Sequence, residues 1–269
     1  MHLAFKNTIC VSTATRDTLL KSGIPVENCR IINTGFEYPY PIERNIHRVS
    51  VGENSFLNLI YAGRLTPEKG IETAIDAVAI LAQRQGIRNL HLTIAGSGND
   101  DYEKQLKDIV ERCQLSGMVS FLGKVPYDEM AALYQKMDVL ILPSIWPEPL
   151  ARVILEAWFF GLVVVASDSG GNKELIQNGE NGLLFPTNDS QTLANLIAGL
   201  QQDPRRREAL KKIGQETILE KHSFNHMMDL IEDYFFDILQ MPKTRNVSQQ
   251  PVGDNWANVS FDLEEFENE

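Results

Sequence analysis

The chain has 269 residues, 43% of them apolar and 23% charged, and a formal net charge of −11. That length builds one large domain or two small ones around a sizeable core. The negative balance repels phosphate backbones at long range and argues against nucleic acid as a partner, while leaving room for a local basic site that takes a small phosphate. Cys10, Cys29 and Cys113 stand at no short spacing, which excludes a zinc knuckle or a paired-cysteine redox motif and suits a reducing compartment. The opening "MHLAFKNTIC" has no basic stretch leading into a long apolar run, and the most apolar window, "VILEAWFFGLVVVA", is broken by Glu156 and Gly161. The expectation is a cytoplasmic protein without a signal peptide or a membrane span, peripheral to a membrane only through a partner.

In chain order, "NTICVS" predicts a strand, "TATRDTLLKSG" a helix ended by Gly23, and "CRIINTG" a short strand. Residues 37–55 hold prolines, Asn and Gly without a period and predict a linker. A regular alternation follows. The strands are "FLNLIYAG", "LHLTIAG", "MVSFLG", "DVLILPS", "VVVAS" and "GLLF". Between them, "GIETAIDAVAILAQRQG", "DDYEKQLKDIVERCQ", "YDEMAALYQKM", "PLARVILEAWFFG" and "NKELIQNG" carry helical patterns, and "SQTLANLIAGLQQ" follows the last strand. Two further helices lie in "DPRRREALKKIGQETILEKH" and "SFNHMMDLIEDYFFDILQ", and residues 241–269 form a polar, acidic tail expected to be disordered.

Near-continuous Val, Ile and Leu strands alternating with helices predict an α/β fold, a doubly wound parallel sheet covered on both faces. In such sheets ligands bind beyond the carboxyl ends of the strands. The expected organisation is a separate strand-helix-strand piece at 1–36, the linker at 37–55, a Rossmann-like domain at 56–222, a crossover helix at 223–240 and the tail at 241–269. The last helix carries apolar residues over more than a narrow stripe, from Phe224 to Leu239. One domain leaves part of that surface uncovered, so self-association or a partner chain at this helix and at residues 1–36 is expected.

Four stretches offer candidate chemistry. In "PSIWPEPLARVILEAWFFG", Glu148 lies between two prolines and Glu156 follows in an apolar run. Pro149 suits a first helical position, which makes Glu148 the N-cap or close to it and leaves the amides of Leu150, Ala151 and Arg152 free to hold an anion. Glu156 then lies two turns into the helix. A helix end for a diphosphate, with one carboxylate toward a ribose and one toward a hexose, fits a nucleotide-sugar. An acidic cap and a satisfied buried acid fit the spacing equally well. In "YAGRLTPEKGIETAI", Arg64 and Lys69 share a strand-to-helix loop where two cations can neutralise a diphosphate, although two surface cations on a loop are common. "IAGSGND" lacks the third glycine of a dinucleotide fingerprint and reads as a tight turn. In "SDSGGNKELIQNG", Gly170 and Gly171 either let a ligand approach the backbone or make a sharp turn, and Glu174 opens a helix. The five histidines show no metal-ligand spacing, and there is no Asp-x-Asp triplet for a metal-bound diphosphate. His222 and His226 read as surface or helix-end residues.

Taken together, "GRLTPEKGIETAI", "PSIWPEPLARVILEAWFFG", "VVVASDSGGNKELIQNGENGLLFPTND" and "KHSFNHMMDLIEDYF" resemble the retaining, nucleotide-sugar-dependent glycosyltransferases of the two-Rossmann-domain type, of the family 4 kind. The resemblance covers about residues 1–240. It implies that Arg64 and Lys69 hold the donor diphosphate, that Glu148 contacts the transferred sugar and Glu156 the ribose, and that the amides of Leu150, Ala151 and Arg152 reach the diphosphate. It implies that Glu148, Arg64 and Lys69 act in catalysis, that backbone near Val125 meets the base, and that no metal and no cofactor beyond the nucleotide-sugar are needed. Arg152 departs from the family pattern, which has a small residue there, and Val163 replaces a frequent proline. Residues 1–36 resemble only the last piece of the family's N-terminal Rossmann domain. The expected activity is therefore hexosyl transfer to an unknown acceptor, with this chain supplying the donor-binding half and the acceptor half supplied in trans, by a partner chain or a second copy, or lost to truncation. The alternative is a non-catalytic nucleotide-sugar-binding or interaction protein.

Overall fold

The structure is a computed structural model and describes residues 6–40 and 56–240. The reading of 241–269 as a disordered tail, and most of the linker reading, fall outside the described residues. Every strand and helix anticipated within the described residues is present.

The first segment holds β1 (Thr8–Cys10), α1 (Thr13–Lys21) and β2 (Cys29–Ile31), with β1 and β2 paired in parallel. The main sheet holds β3 (Leu57–Ala62), β4 (Leu90–Ala95), β5 (Val119–Gly123), β6 (Val139–Leu142), β7 (Val163–Ser167) and β8 (Leu183–Phe185). All pairings are parallel and the order is β5-β4-β3-β6-β7-β8. The chain runs outward one way from β3, returns to β6, and runs outward the other way. The reversal leaves a crevice between β3 and β6 at their carboxyl ends, where open α/β sheets bind ligands.

Alternation along the central strands explains why both faces are covered. Val139 and Ile141 of β6 and Val163 and Val165 of β7 enter one core, with helices α2 (Ile71–Arg84), α3 (Asp100–Arg112) and α7 (Ser190–Gln202). Leu140, Leu142, Val164 and Ala166 enter the other, with α4 (Tyr127–Tyr134) and α5 (Arg152–Phe159). Successive strand side chains point to opposite faces, so a run such as "VVVA" satisfies two cores at once. Local signals set the helix starts. Asn99 caps α3 and Asp189 caps α7 by accepting first-turn amides.

Tyr38, in the described part of the expected linker, is packed rather than solvent-exposed. It is buried among Phe159, Phe160 and Tyr127, and its hydroxyl donates to the Tyr127 carbonyl at 2.9 Å. Aromatic packing there outweighs the local turn composition that predicts a linker. The amide of Phe36 donates to the His222 carbonyl at 2.8 Å, joining this stretch to the start of α9 (Phe224–Leu239). In turn α9 packs on the first segment. Tyr234 is buried there, with its hydroxyl donating to the Asn28 carbonyl at 2.5 Å, and Arg30 pairs with Asp237 at 2.9 Å. Phe224, Phe235 and Leu239 stay exposed, so residues 6–40 cover only part of this helix. Among the described residues no helix is long and apolar enough to cross a membrane.

The second core closes against α8 (Pro204–Lys221) at one tight contact. A Cβ on Gly214 would lie 2.5 Å from Cδ1 of the fully buried Trp158. Alanine in a helix interior gains about 1 kcal/mol over glycine, but overpacking a close-packed core costs about 1–3 kcal/mol. Packing therefore decides the sign, and Gly214→Ala is expected to lower the urea midpoint of unfolding.

His222, at the carboxyl end of α8, is a helix-end residue as expected but is buried against Trp158 rather than on the surface. Burial, with His226 and Lys221 adding repulsion, lowers its pKa from 6.5 to about 4. The unfolded chain binds this proton more tightly, so the stability is present above pH 6.5 and is lost as pH falls toward 4. Urea midpoints should drop between pH 7 and pH 5 by less in His222→Gln than in the parent chain.

Candidate functional site

The loops leaving β3 and β6 meet at the crevice. After β3 come Gly63 and Arg64, then a short 3-10 turn (Pro67–Lys69) closed by Gly70 in the left-handed conformation, φ 65°. After β6 come residues 143–151. The two loops are laced by backbone. The amides of Ile145 and Trp146 both donate to the Glu68 carbonyl, at 2.9 and 3.0 Å. Any side chain at position 70 would meet the Pro143 carbonyl, since a Cβ there would lie 2.2 Å from that oxygen.

Glu148 lies at the centre of this junction. It is only 8% exposed, and its Oε1 accepts from Lys69 Nζ at 2.5 Å and from Ser144 Oγ at 2.7 Å. A carboxylate so far from water needs such partners. Its Oε2 has no hydrogen-bond partner among the described residues. Glu148 is not the N-cap that Pro149 suggests. Ala151 holds that position and α5 begins at Arg152. Pro149 instead belongs to a non-helical bend that abuts the neighbouring glycines. The Gly171 amide donates to the Glu148 carbonyl at 2.7 Å, and a Cβ on Gly170 would lie 2.3 Å from that same oxygen. Gly170 and Gly171 thus receive protein backbone. The same holds for "IAGSGND", where a Cβ on Gly98 would lie 1.9 Å from the Leu65 carbonyl and one on Gly96 1.8 Å from that of Gly63.

The amides of Leu150, Ala151 and Arg152 donate to no carbonyl among the described residues. Arg64 is exposed, and its side chain makes no ion pair among the described residues. Arg64, Lys69 and these amides thus lie on loops at one edge of the sheet, with a helix start behind the amides, an arrangement that favours an anion.

Glu156 lies one turn into α5, not two turns beyond a cap. It is buried, and its Oε2 accepts from the Tyr134 hydroxyl at 2.9 Å while Oε1 lies 3.5 Å from Tyr127 Oη and from Arg152 Nε. Burial raises its pKa, and the hydrogen bond from Tyr134, the charge of Arg152 and Tyr127 oppose that rise. The Arg152 guanidinium lies over the rings of Phe36 and Tyr127, at 5.6 and 5.9 Å from their centroids. Val125 is half-buried in the loop before α4, two residues from Tyr127.

The sequence pattern described as "Glycosyl transferases group 1" matches residues 43–217. The chain belongs to this family. It is 31% identical over 197 residues to the amylovoran biosynthesis glycosyltransferase AmsK of Erwinia amylovora, covering 71% of this chain and 46% of that protein. It is 30% identical over 211 residues to the glycosyltransferase MJ1607 of Methanocaldococcus jannaschii, covering 76% of this chain and 52% of that one. The chain therefore spans about half the length of the curated relatives it matches. Among solved structures, Anabaena Alr3699/HepE in complex with UDP and glucose is similar with a TM-score of 0.73 and 26% identity, over 86% of this chain and 63% of that one. Sucrose-phosphate synthase from Thermosynechococcus elongatus shares the fold, with a TM-score of 0.72 and 24% identity over 87% of this chain and 59% of that one.

Within this group 1 glycosyltransferase domain, several site neighbours escape a reading of the sequence. Ser144 looks like an ordinary strand-end residue yet fixes Glu148. Tyr127 and Tyr134 converge on Glu156, and their separation of seven positions, two helical turns, was a usable signal. Glu174 does more than favour its own helix. Its carboxylate accepts from the amides of Thr13 and Ala14, at 2.7 and 2.8 Å, at the start of α1. Because the glycine loop abuts the Glu148 backbone, Gly170→Ala must displace it while also straining a backbone at φ 55°. We expect its melting temperature to fall by about 4 °C or more.

Proposed function

We propose that this chain binds a nucleotide-sugar and supplies the donor side of a retaining hexosyl transfer. The observation that carries the reading is Glu148. Lys69 and Ser144 fix one carboxylate oxygen and leave the other unengaged, beside amides that lack partners. In this reading the diphosphate lies at Arg64, Lys69 and the amides of Leu150, Ala151 and Arg152. Charge that grows on the diphosphate as the sugar bond breaks meets fixed donors there, and fixed donors need no rearrangement when that charge appears. Oε2 of Glu148 accepts from hydroxyls of the transferred sugar, Glu156 accepts from the ribose, and backbone near Val125 meets the base.

The Anabaena structure with UDP and glucose supports the choice of ligand class. For a ribose to reach Glu156, Arg152 must swing off the carboxylate, which its 59% side-chain exposure permits. Residues 1–36 act here as the closing piece of a second Rossmann unit. The exposed Phe235 and Leu239 beside them leave apolar surface for whatever supplies the acceptor side.

Titration calorimetry with UDP, GDP and ADP tests the donor site. At least one should bind, and Lys69→Ala should weaken it by tenfold or more, about 1.4 kcal/mol. Binding of none at millimolar concentration would overturn the reading. Glu156→Ala should weaken the bare nucleoside diphosphate. Glu148→Ala should mainly reduce the preference for the sugar-bearing form, and equal effects of both on the bare diphosphate would contradict the assigned roles.

A further inference from the structure

Beside Glu148 the loop presents an apolar pair, Ile145 and Trp146, that the described chain covers only in part. They are 40% and 54% exposed, and the Trp146 indole makes no ring contact among the described residues. Their backbone is nonetheless fixed from three directions. Both amides donate to the Glu68 carbonyl, Ser169 Oγ donates to the Trp146 carbonyl at 2.6 Å, and Ser144 Oγ lies 3.3 Å from the same oxygen. Ile145 also packs at the site loop, its Cγ1 lying 3.2 Å from where a Cβ on Gly70 would stand. An exposed indole on a mobile tip is common and means little. This one is exposed on a backbone held by two site loops, two residues before the carboxylate.

From this placement we propose that Trp146, flanked by Ile145, is a stacking platform for the apolar C–H face of a pyranose ring. The proposal rests on the donor-site reading above. A pyranose presents hydroxyls at its rim and C–H bonds on its faces, so it needs polar groups and an aromatic plane side by side. Here Lys69, Ser144 and Glu148 give the polar set. The indole gives a large rigid surface that loses little conformational freedom on binding. The same chemistry serves the donor's sugar or an acceptor sugar, and ligand choice separates the two.

The indole N–H resonance of Trp146, assigned by its loss in Trp146→Phe, reads contact directly, and calorimetry with UDP and GDP reads the donor site independently. UDP-glucose or GDP-mannose should shift the resonance beyond the matching nucleoside diphosphate if the donor's sugar stacks. Methyl glucoside or methyl mannoside added over bound nucleotide should shift it if an acceptor sugar does. Trp146→Ala should cost about tenfold in the sugar-dependent part of the affinity, and Trp146→Phe should restore most of it. Nucleotide binding with no sugar-bearing ligand moving Trp146 would overturn the platform and leave the donor site standing. If no nucleotide binds, the donor-site reading fails, and the methyl glycosides alone decide. A shift at Trp146 supports the platform, and none overturns it.

Discussion

The contact between Lys69 and Glu148 is where the separate parts of this fold become one site. Lys69 ends the turn that leaves the first strand of the sheet proper, and Glu148 lies beyond the strand beside it. Neither group would remain so far from water alone, because an unpaired charge at that depth is expensive. Their pairing, with Ser144, holds two loops against each other at the one place where the sheet reverses its winding. The glycines at 70, 170 and 171 make the pairing reachable by removing the side chains that would keep the backbones apart.

The fold was legible in the sequence because both of its signals are strong. A strand buried on two faces has no polar positions to spare, and "VLIL" and "VVVAS" show none before their ends. The helices carry their apolar residues at helical spacing, and side-chain caps mark several starts. What the sequence misplaced was decided by tertiary packing. Tyr38 sits among turn-forming residues, yet four aromatic neighbours draw it inward. Pro149 suits a helix start, but the stretch against the glycine loop bends there, and the helix waits for Arg152.

The candidate site was half legible. Arg64, Lys69, Glu148 and Glu156 stand out only in combination, in the stretches that carry the family resemblance, and the structure brings Lys69 and Glu148 into contact. Their partners do not stand out. A serine at a strand end or a tyrosine in a helix is ordinary until the fold aims its hydroxyl at a carboxylate. The glycine motifs were ambiguous for a related reason. A glycine records that something comes close, not what comes close, and at positions 96, 98, 170 and 171 the neighbour is the chain itself.

Glu174 gives the arrangement a reach that the individual bonds do not suggest. Its carboxylate holds the first amides of α1, its own amide donates to the Gly171 carbonyl, and the Gly171 amide donates to the Glu148 carbonyl. The bonds that end this relay join positions 161 and 160 apart, and Lys69 and Glu148 are 79 apart. Contacts between such distant positions carry the largest loop-closure cost and form slowly. The backbone of Glu148 is thus tied through Gly171 and Glu174 to the start of α1. Undocking the first segment would strip the Glu174 carboxylate of two amide partners at the far end of a relay that begins at the Glu148 carbonyl.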